Sequence, residues 1–259
     1  MPPPSSSPLP LLLPARSLSS QTCLLVWRFI FLILMLHSFI YHYAIFKIHP
    51  FAQLHFLTIW GQYLTLTLSI ILLSISLYYR KQLSSPSSSD PVFSKRETCC
   101  LKFTQILYEL TISLEGAITI IFWVVLRGWF DTPAENYSNI WIHGLYLVLV
   151  ILDFSFCQMQ VLPKHWWITV VVSVIYLILN LIVSLAHEPV YGDILNYTNA
   201  ISYIVILMTL AVLMAVYFTF YGFSICKRKH IERAQRVHKK VNHSQSAKEE
   251  IKGTGVAEV

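Results

Sequence analysis

Apolar residues in this chain fall in long unbroken blocks, with no strict alternation and no narrow three-to-four-residue stripe. Six blocks stand out, residues 23–46, 52–79, 103–130, 140–162, 165–186 and 200–223. At roughly 1.5 Å of rise per residue, about 20 apolar residues cross the hydrocarbon core of a bilayer. The pattern predicts an all-α membrane protein, a bundle of six transmembrane helices forming one domain over residues 23–224. The first block is too long for a signal-peptide core and has no small-residue cleavage site after it, so it is expected to remain as a helix. Residues 1–22, rich in Pro and Ser, and the basic segment 225–259 are expected to be disordered. No internal repeat is visible.

Polar positions inside the blocks fall on faces. Thr58, Gln62, Thr65 and Ser69 are spaced 4, 3 and 4 apart, which lines them along one side of the second helix. In the fifth helix Thr169, Ser173, Tyr176, Asn180, Ser184 and His187 do the same. Both stripes are expected to turn toward other helices or a hydrated cavity. Glu109, Glu115 and Asp153 add carboxylates, each costing several kcal/mol if it faced lipid, so they must be paired, protonated or wet. Interhelical hydrogen bonding accounts for such groups, and so does a substrate cavity or proton path. Arg28 lies close enough to the end of the first helix to snorkel.

Composition removes the soluble alternative: 55% of the 259 residues are hydrophobic and 12% charged. The net charge of +6 is distributed unevenly. Arg16, Arg80, Lys81, Lys95, Arg96, Lys102, Lys164 and the tail "CKRKHIERAQRVHKK" fall on one side of the predicted topology, and only Lys47 and Arg127 on the other. Both termini are therefore expected in the cytosol. The basic charge then reads as a topology signal meeting anionic lipid, with the bilayer and not nucleic acid as the partner. Two sequons, at Asn136 and Asn196, fall on the predicted outer or lumenal side, and a third, at Asn242, in the cytosol. Cys23, Cys99, Cys100, Cys157 and Cys226 all map near the cytosolic face, where no disulfide framework is expected; Cys99, Cys100 and Cys226 stand beside helix ends, as palmitoylated cysteines do. Endoplasmic reticulum and plasma membrane are not distinguished, and neither is the oligomeric state.

Candidate chemistry rests on few residues. His37 and His42 are five apart and occupy different helix faces, which is not the metal pair of a zincin. His42, His55 and His143 lie near the predicted outer face on three helices, but without a second paired set they give no metal or cofactor site. Thr58 and His143 fall at similar depth near that face, on two helices that both run inward. A hydroxyl and an imidazole at one level meet the first geometric demand of a base-activated nucleophile.

Several segments in order carry a resemblance: "VWRFIFLIL", "FLTIWGQYL", "HGLYLVLVILD", "LPKHWW" and "PVYGDILNY". Together, over residues 27–221, they resemble the superfamily of the androgen-induced proteins and the insect protein rolling stone. The resemblance implies a multi-pass fold in which the androgen-induced members act as threonine hydrolases on fatty acid esters of hydroxy fatty acids. Matched by motif, the catalytic pair is Thr58 of "LTIWG" and His143 of "HGLYLVLVILD". The Trp60–Gly61 and His143–Gly144 pairs are closer to the rolling stone branch, associated with membrane organisation and cell fusion. Two readings follow, a lipid-ester hydrolase and a non-catalytic organiser, with a transporter or haem protein behind them. For the hydrolase, Asp131, Glu135, Glu188 or Asp193 are the acids that reach the level of His143, and a plain dyad is the other option. Asp153 lies about 15 Å further along its helix and is not the orienting acid. Gln62, one turn from Thr58, is a candidate oxyanion donor.

Overall fold

The computed structural model describes residues 18–46, 53, 56–83, 94–126, 133–157, 159–186 and 197–254. Regular structure among them is entirely helical: α1 Leu18–Phe46, α2 Leu57–Leu83, α3 Lys95–Ile121, α4 Pro133–Ile140, α5 Tyr146–Phe156, α6 Trp166–Ala186 and α7 Ala200–Thr254. A π-helical turn, Phe122–Leu126, extends α3, and a second, Trp141–Leu145, joins α4 to α5. Six stretches are long and apolar enough to cross a bilayer: Gln21–Ala44, Leu57–Arg80, Lys95–Val125, Tyr137–Phe156, Pro163–Ala186 and Ala200–Arg233.

Helix ends depart from the hydropathy blocks for local reasons. α3 starts at Lys95, ahead of its apolar block, because Ser94 and Glu97 form a capping box: Glu97 N–H donates to Ser94 Oγ at 3.2 Å and Ser94 N–H to the Glu97 carboxylate at 2.8 Å. The fourth span stops at Phe156, short of residue 162, because the chain turns extended at Cys157 (φ −88°, ψ 169°). Pro163 then holds Leu162 extended (φ −105°, ψ 130°) before α6 begins. At both ends of the described chain the helices run beyond the apolar blocks. α1 already begins at Leu18, and α7 continues through the basic segment to Thr254. Between Gly222 and Gly253 that segment has no Pro or Gly and is rich in Lys, Arg, Glu, Gln and Ala, so nothing interrupts the helix.

α3 is the axis of the bundle, buried at every residue from 107 to 118. Two glycines bring its neighbours close. A Cβ on Gly61 of α2 would stand 2.8 Å from Ile118 Cδ1 and 2.9 Å from Glu115 Oε1, and one on Gly116 would stand 2.5 Å from Val216 Cγ1 of α7. Small residues at such crossings let helix backbones approach in the absence of a hydrophobic drive. α6 packs at the edge with inverted polarity. Its buried residues are Thr169, Ser173, Tyr176 and Asn180, while Val171, Val174, Ile175, Ile178 and Ile182 are exposed. A helix with polar groups inside and aliphatic ones outside suits a lipid surround.

The ionisable groups of the spans are buried with named partners. Arg28 does not snorkel: it is wholly buried, its Nε donating to Asp153 Oδ1 at 3.0 Å and its Nη1 to Ser76 Oγ at 2.7 Å and the Leu72 carbonyl at 3.3 Å. Asp153 stands on α5 at the depth of Arg28, and the pair satisfies the guanidinium where it is. Glu109 accepts from Gln105 Nε2 (2.5 Å), Leu162 N (3.2 Å) and Tyr217 OH (3.2 Å), and pairs with His165 Nδ1 at 2.8 Å. This node ties α3, the extended segment before α6, and α7. Glu115 accepts from Thr65 Oγ1 at 2.6 Å. Thr65 thereby links α2 to α3, while the Ser69 hydroxyl donates to the Leu66 carbonyl of its own helix at 2.7 Å.

Candidate functional site

α2 and α3 run antiparallel, and the contact of Gly61 with Ile118 fixes their register. One turn from Gly61 toward the start of α2 is Thr58; one turn from Ile118 toward the end of α3 is Phe122. These two residues are therefore level. Phe122 in turn lies ring on ring with His143, centroids 3.6 Å apart and planes 2° from parallel. Thr58 and His143 both line one half-open pocket, walled by α2, α3, α6, α7 and the turn carrying His143.

The cavity has an uneven lining. Leu114, Ala117, Ile118 and Ile121 of α3 and Leu210 and Leu213 of α7 form an aliphatic wall spanning several turns. The polar lining groups are Thr58, His143, Ser173, Tyr176 and Thr209. Ser173 and Tyr176 belong to the inward stripe of α6, so part of that stripe is cavity wall. Further along it, Asn180 Nδ2 donates to Tyr176 OH at 3.3 Å, and Tyr197 OH donates to Asn180 Oδ1 at 2.9 Å. Trp60 meets Tyr176 edge to face at 5.7 Å, bridging α2 and α6 beside the cavity. Trp60 and Gly61 thus have distinct tasks, one against Tyr176 and the other against Ile118 and Glu115.

His143 is held by two aromatic neighbours and its own π turn. The amide of Tyr146 bonds to the Trp141 carbonyl, five residues back, which shifts the hydrogen-bond register by one residue. The His143 carbonyl accepts from Trp123 Nε1 at 2.8 Å. Trp123 and Phe122 both come from the π turn that extends α3, so two π turns meet at this residue. The imidazole is buried, and its Nδ1 has no hydrogen-bond partner among the described residues. No hydrogen bond joins Thr58 to His143 among the described residues; they share only the pocket wall.

Other sequence-predicted roles are redistributed. Gln62 is no free oxyanion donor: its Nε2 donates to Tyr146 OH at 3.0 Å, and Tyr146 OH shares a 2.7 Å hydrogen bond with Ser38 Oγ. Gln62 faces α1 and α5 there, so its amide is engaged away from the cavity lining. Asp131, Glu188, Asp193 and His187 lie outside the described residues, as do His55, Asn196 and the side chain of Glu135. His42 bonds Ser138 Oγ at 3.1 Å and Gln53 Oε1 at 2.9 Å. Among the described residues no three His, Cys, Asp or Glu side chains gather as a metal site would require.

Comparisons with protein-family models, with curated proteins and with solved structures give no match for this chain. Among the described residues, fold and site define a helical chain with six helices long and apolar enough to cross a membrane and a half-open, largely aliphatic pocket beside α3.

Proposed function

We propose that the chain is a multi-pass membrane hydrolase of lipid esters, with Thr58 as nucleophile and His143 as general base. The observation carrying this reading is that Thr58 and His143, 85 residues apart, line the same largely aliphatic cavity. The motif resemblance to the androgen-induced proteins supports the same pair. In the proposed reaction the Thr58 hydroxyl adds to the ester carbonyl as His143 takes its proton. Collapse expels the alcohol, which receives that proton, and leaves an acyl-threonine; water, deprotonated by His143, then releases the acid. The aliphatic wall holds the acyl chain beside the hydroxyl. With both termini cytosolic, the reacting pair lies near the outer or lumenal face.

The test is turnover of long-chain ester substrates by purified protein in detergent, beside Thr58→Ala and His143→Ala. Each substitution is expected to lower kcat by at least about a hundredfold, within the range of general-base catalysis. Hydrolysis that survives both changes dismisses the pair. Folded protein that turns over no ester dismisses the enzyme and leaves the non-catalytic organiser. For orientation, a tag placed after Cys226 should be shielded from outside in intact cells, and labelling from outside inverts the topology.

A further inference from the structure

We infer that Cys99 and Cys100, adjacent in the second turn of α3, carry fatty acyl chains in thioester linkage; this goes beyond the hydrolase reading and does not rest on it. Both thiols are exposed, whereas Cys157 is buried. Exposure alone does not make a site, and here it is joined by position. The capping box of Ser94 and Glu97 fixes the start of α3, which turns Leu101, Thr104 and Gln105 into the bundle. Lys95, Arg96, Cys99, Cys100, Lys102 and Phe103 are left on the outside.

Along that outer face the character changes within one turn. Lys95, Arg96 and Lys102 are basic, and Phe103 is apolar and 58% exposed. The two later charged residues of α3, Glu109 and Glu115, are buried, so no charge faces outward beyond Phe103. The neighbouring helix makes the same change at the same level. Tyr78 OH of α2 donates to Glu97 Oε1 at 2.8 Å, which sets the register of the two antiparallel helices. On α2 the exposed Leu77 and Tyr78 give way to an exposed Arg80. Apolar and tyrosine side chains yielding to Lys and Arg on both helices mark the edge of a bilayer. Cys99 and Cys100 follow Glu97 by two and three residues, roughly 3–5 Å along the axis. Their sulfurs therefore lie at headgroup depth, where juxtamembrane cysteines take reversible acyl chains.

This edge is the one expected to face the cytosol, where fatty acyl-coenzyme A is the donor. Lys95, Arg96 and Lys102 offer positive charge to its phosphates and to anionic headgroups. In the transfer a cysteine thiolate attacks the thioester carbonyl. One S–C bond forms as the bond to coenzyme A breaks, and coenzyme A leaves as a thiol with the proton that cysteine gave up. The attached chain passes Phe103 into the hydrocarbon, where every buried CH₂ adds to its hold. Two such chains pin one end of α3, the axis of the bundle, to the leaflet.

The full chain is expressed in eukaryotic cells, and its free thiols are blocked with N-ethylmaleimide. Thioesters are then cleaved with neutral hydroxylamine, and each thiol released is tagged with a polyethylene glycol maleimide that adds one step on a gel. Cys99→Ser and Cys100→Ser are each expected to lose one hydroxylamine-dependent step, the double variant two, and Cys157→Ser none. The wild-type protein is read without any variant: trypsin, cutting after Arg96 and Lys102, is expected to release residues 97–102 with the mass of an acyl chain on both cysteines. An unmodified peptide, or a double variant with the same steps as wild type, overturns the inference. So does a tag that appears with a reductant and not with hydroxylamine, because it reports a disulfide.

Discussion

The imidazole of His143 lies flat on the ring of Phe122, 3.6 Å between centroids, while the next residue of the same π turn, Trp123, donates to the His143 carbonyl at 2.8 Å. One short segment of α3 thus grips both the side chain and the backbone of the proposed base. An acid is the usual orienting partner of such a histidine; among the described residues it is stacking that holds the ring.

Removing the ring by Phe122→Ala should therefore lower kcat several-fold to about tenfold, matching the roughly 0.5–1.5 kcal/mol of an aromatic pair. KM should move less, because Phe122 is one lining residue among many. Phe122→Tyr keeps the stack and should restore kcat. Steady-state kinetics on one ester with these two variants separates positioning from loss of fold, since a merely destabilised protein would lose active fraction without rescue.

The Arg28–Asp153 pair predicts an asymmetric response. Asp153→Ala strands a buried guanidinium and should destabilise the bundle by about 3–5 kcal/mol. Exchanging both members together, Arg28→Met with Asp153→Leu, should recover most of that loss. Thermal unfolding in detergent reads both, and a double variant no better than Asp153→Ala would contradict the pairing.

Glycines at two positions should differ. Gly61→Ala drives a methyl into Ile118 and Glu115 and should cost about 1–3 kcal/mol by overpacking. Ile118→Val shortens the side chain it strikes and should return part of the loss. A methyl group on Gly222 would meet nothing within 4 Å, so Gly222→Ala should be neutral or stabilise α7 by up to about 1 kcal/mol. Melting temperatures of the three proteins check the order.

Cys157, just past the end of the fourth span, gives a pH signature. Burial, reinforced by Asp153, pushes its thiol from 9.0 up to about 11. Its thiolate is therefore scarce at neutral pH, and maleimide should label the exposed Cys23, Cys99, Cys100 and Cys226 long before Cys157. The unfolded thiol ionises first, so its contribution to stability is full below about pH 9 and is lost as pH rises toward 11. Replacing it by Cys157→Ala should flatten that part of the stability profile.

The six spans were legible because length and hydropathy alone decide them, and the inward faces of α2 and α6 because their polar spacing is helical. Partnerships were not legible. Arg28 and Asp153 stand 125 residues apart, and no local pattern links them; taken alone, Arg28 near a helix end reads as snorkelling. Gln62 has the right spacing from Thr58 for an oxyanion donor, yet Tyr146 from a distant helix takes its amide. The π turns leave no trace in composition, since each shifts the hydrogen-bond register by one residue within an apolar run. That Thr58 and His143 could meet was legible only as a similar depth counted from span ends, although the spans run from 20 to 34 residues. The aromatic grip on His143 was not, because it depends on that register shift.

Whether Thr58 is the nucleophile is read most directly from where a covalent adduct forms. Protein treated with a long-chain fluorophosphonate is digested and its peptides sequenced by mass spectrometry. The phosphonyl mass is expected on Thr58, with labelling strongly reduced in His143→Ala. Adduct on another residue, or undiminished labelling of Thr58 without the imidazole, would contradict the Thr58–His143 pair.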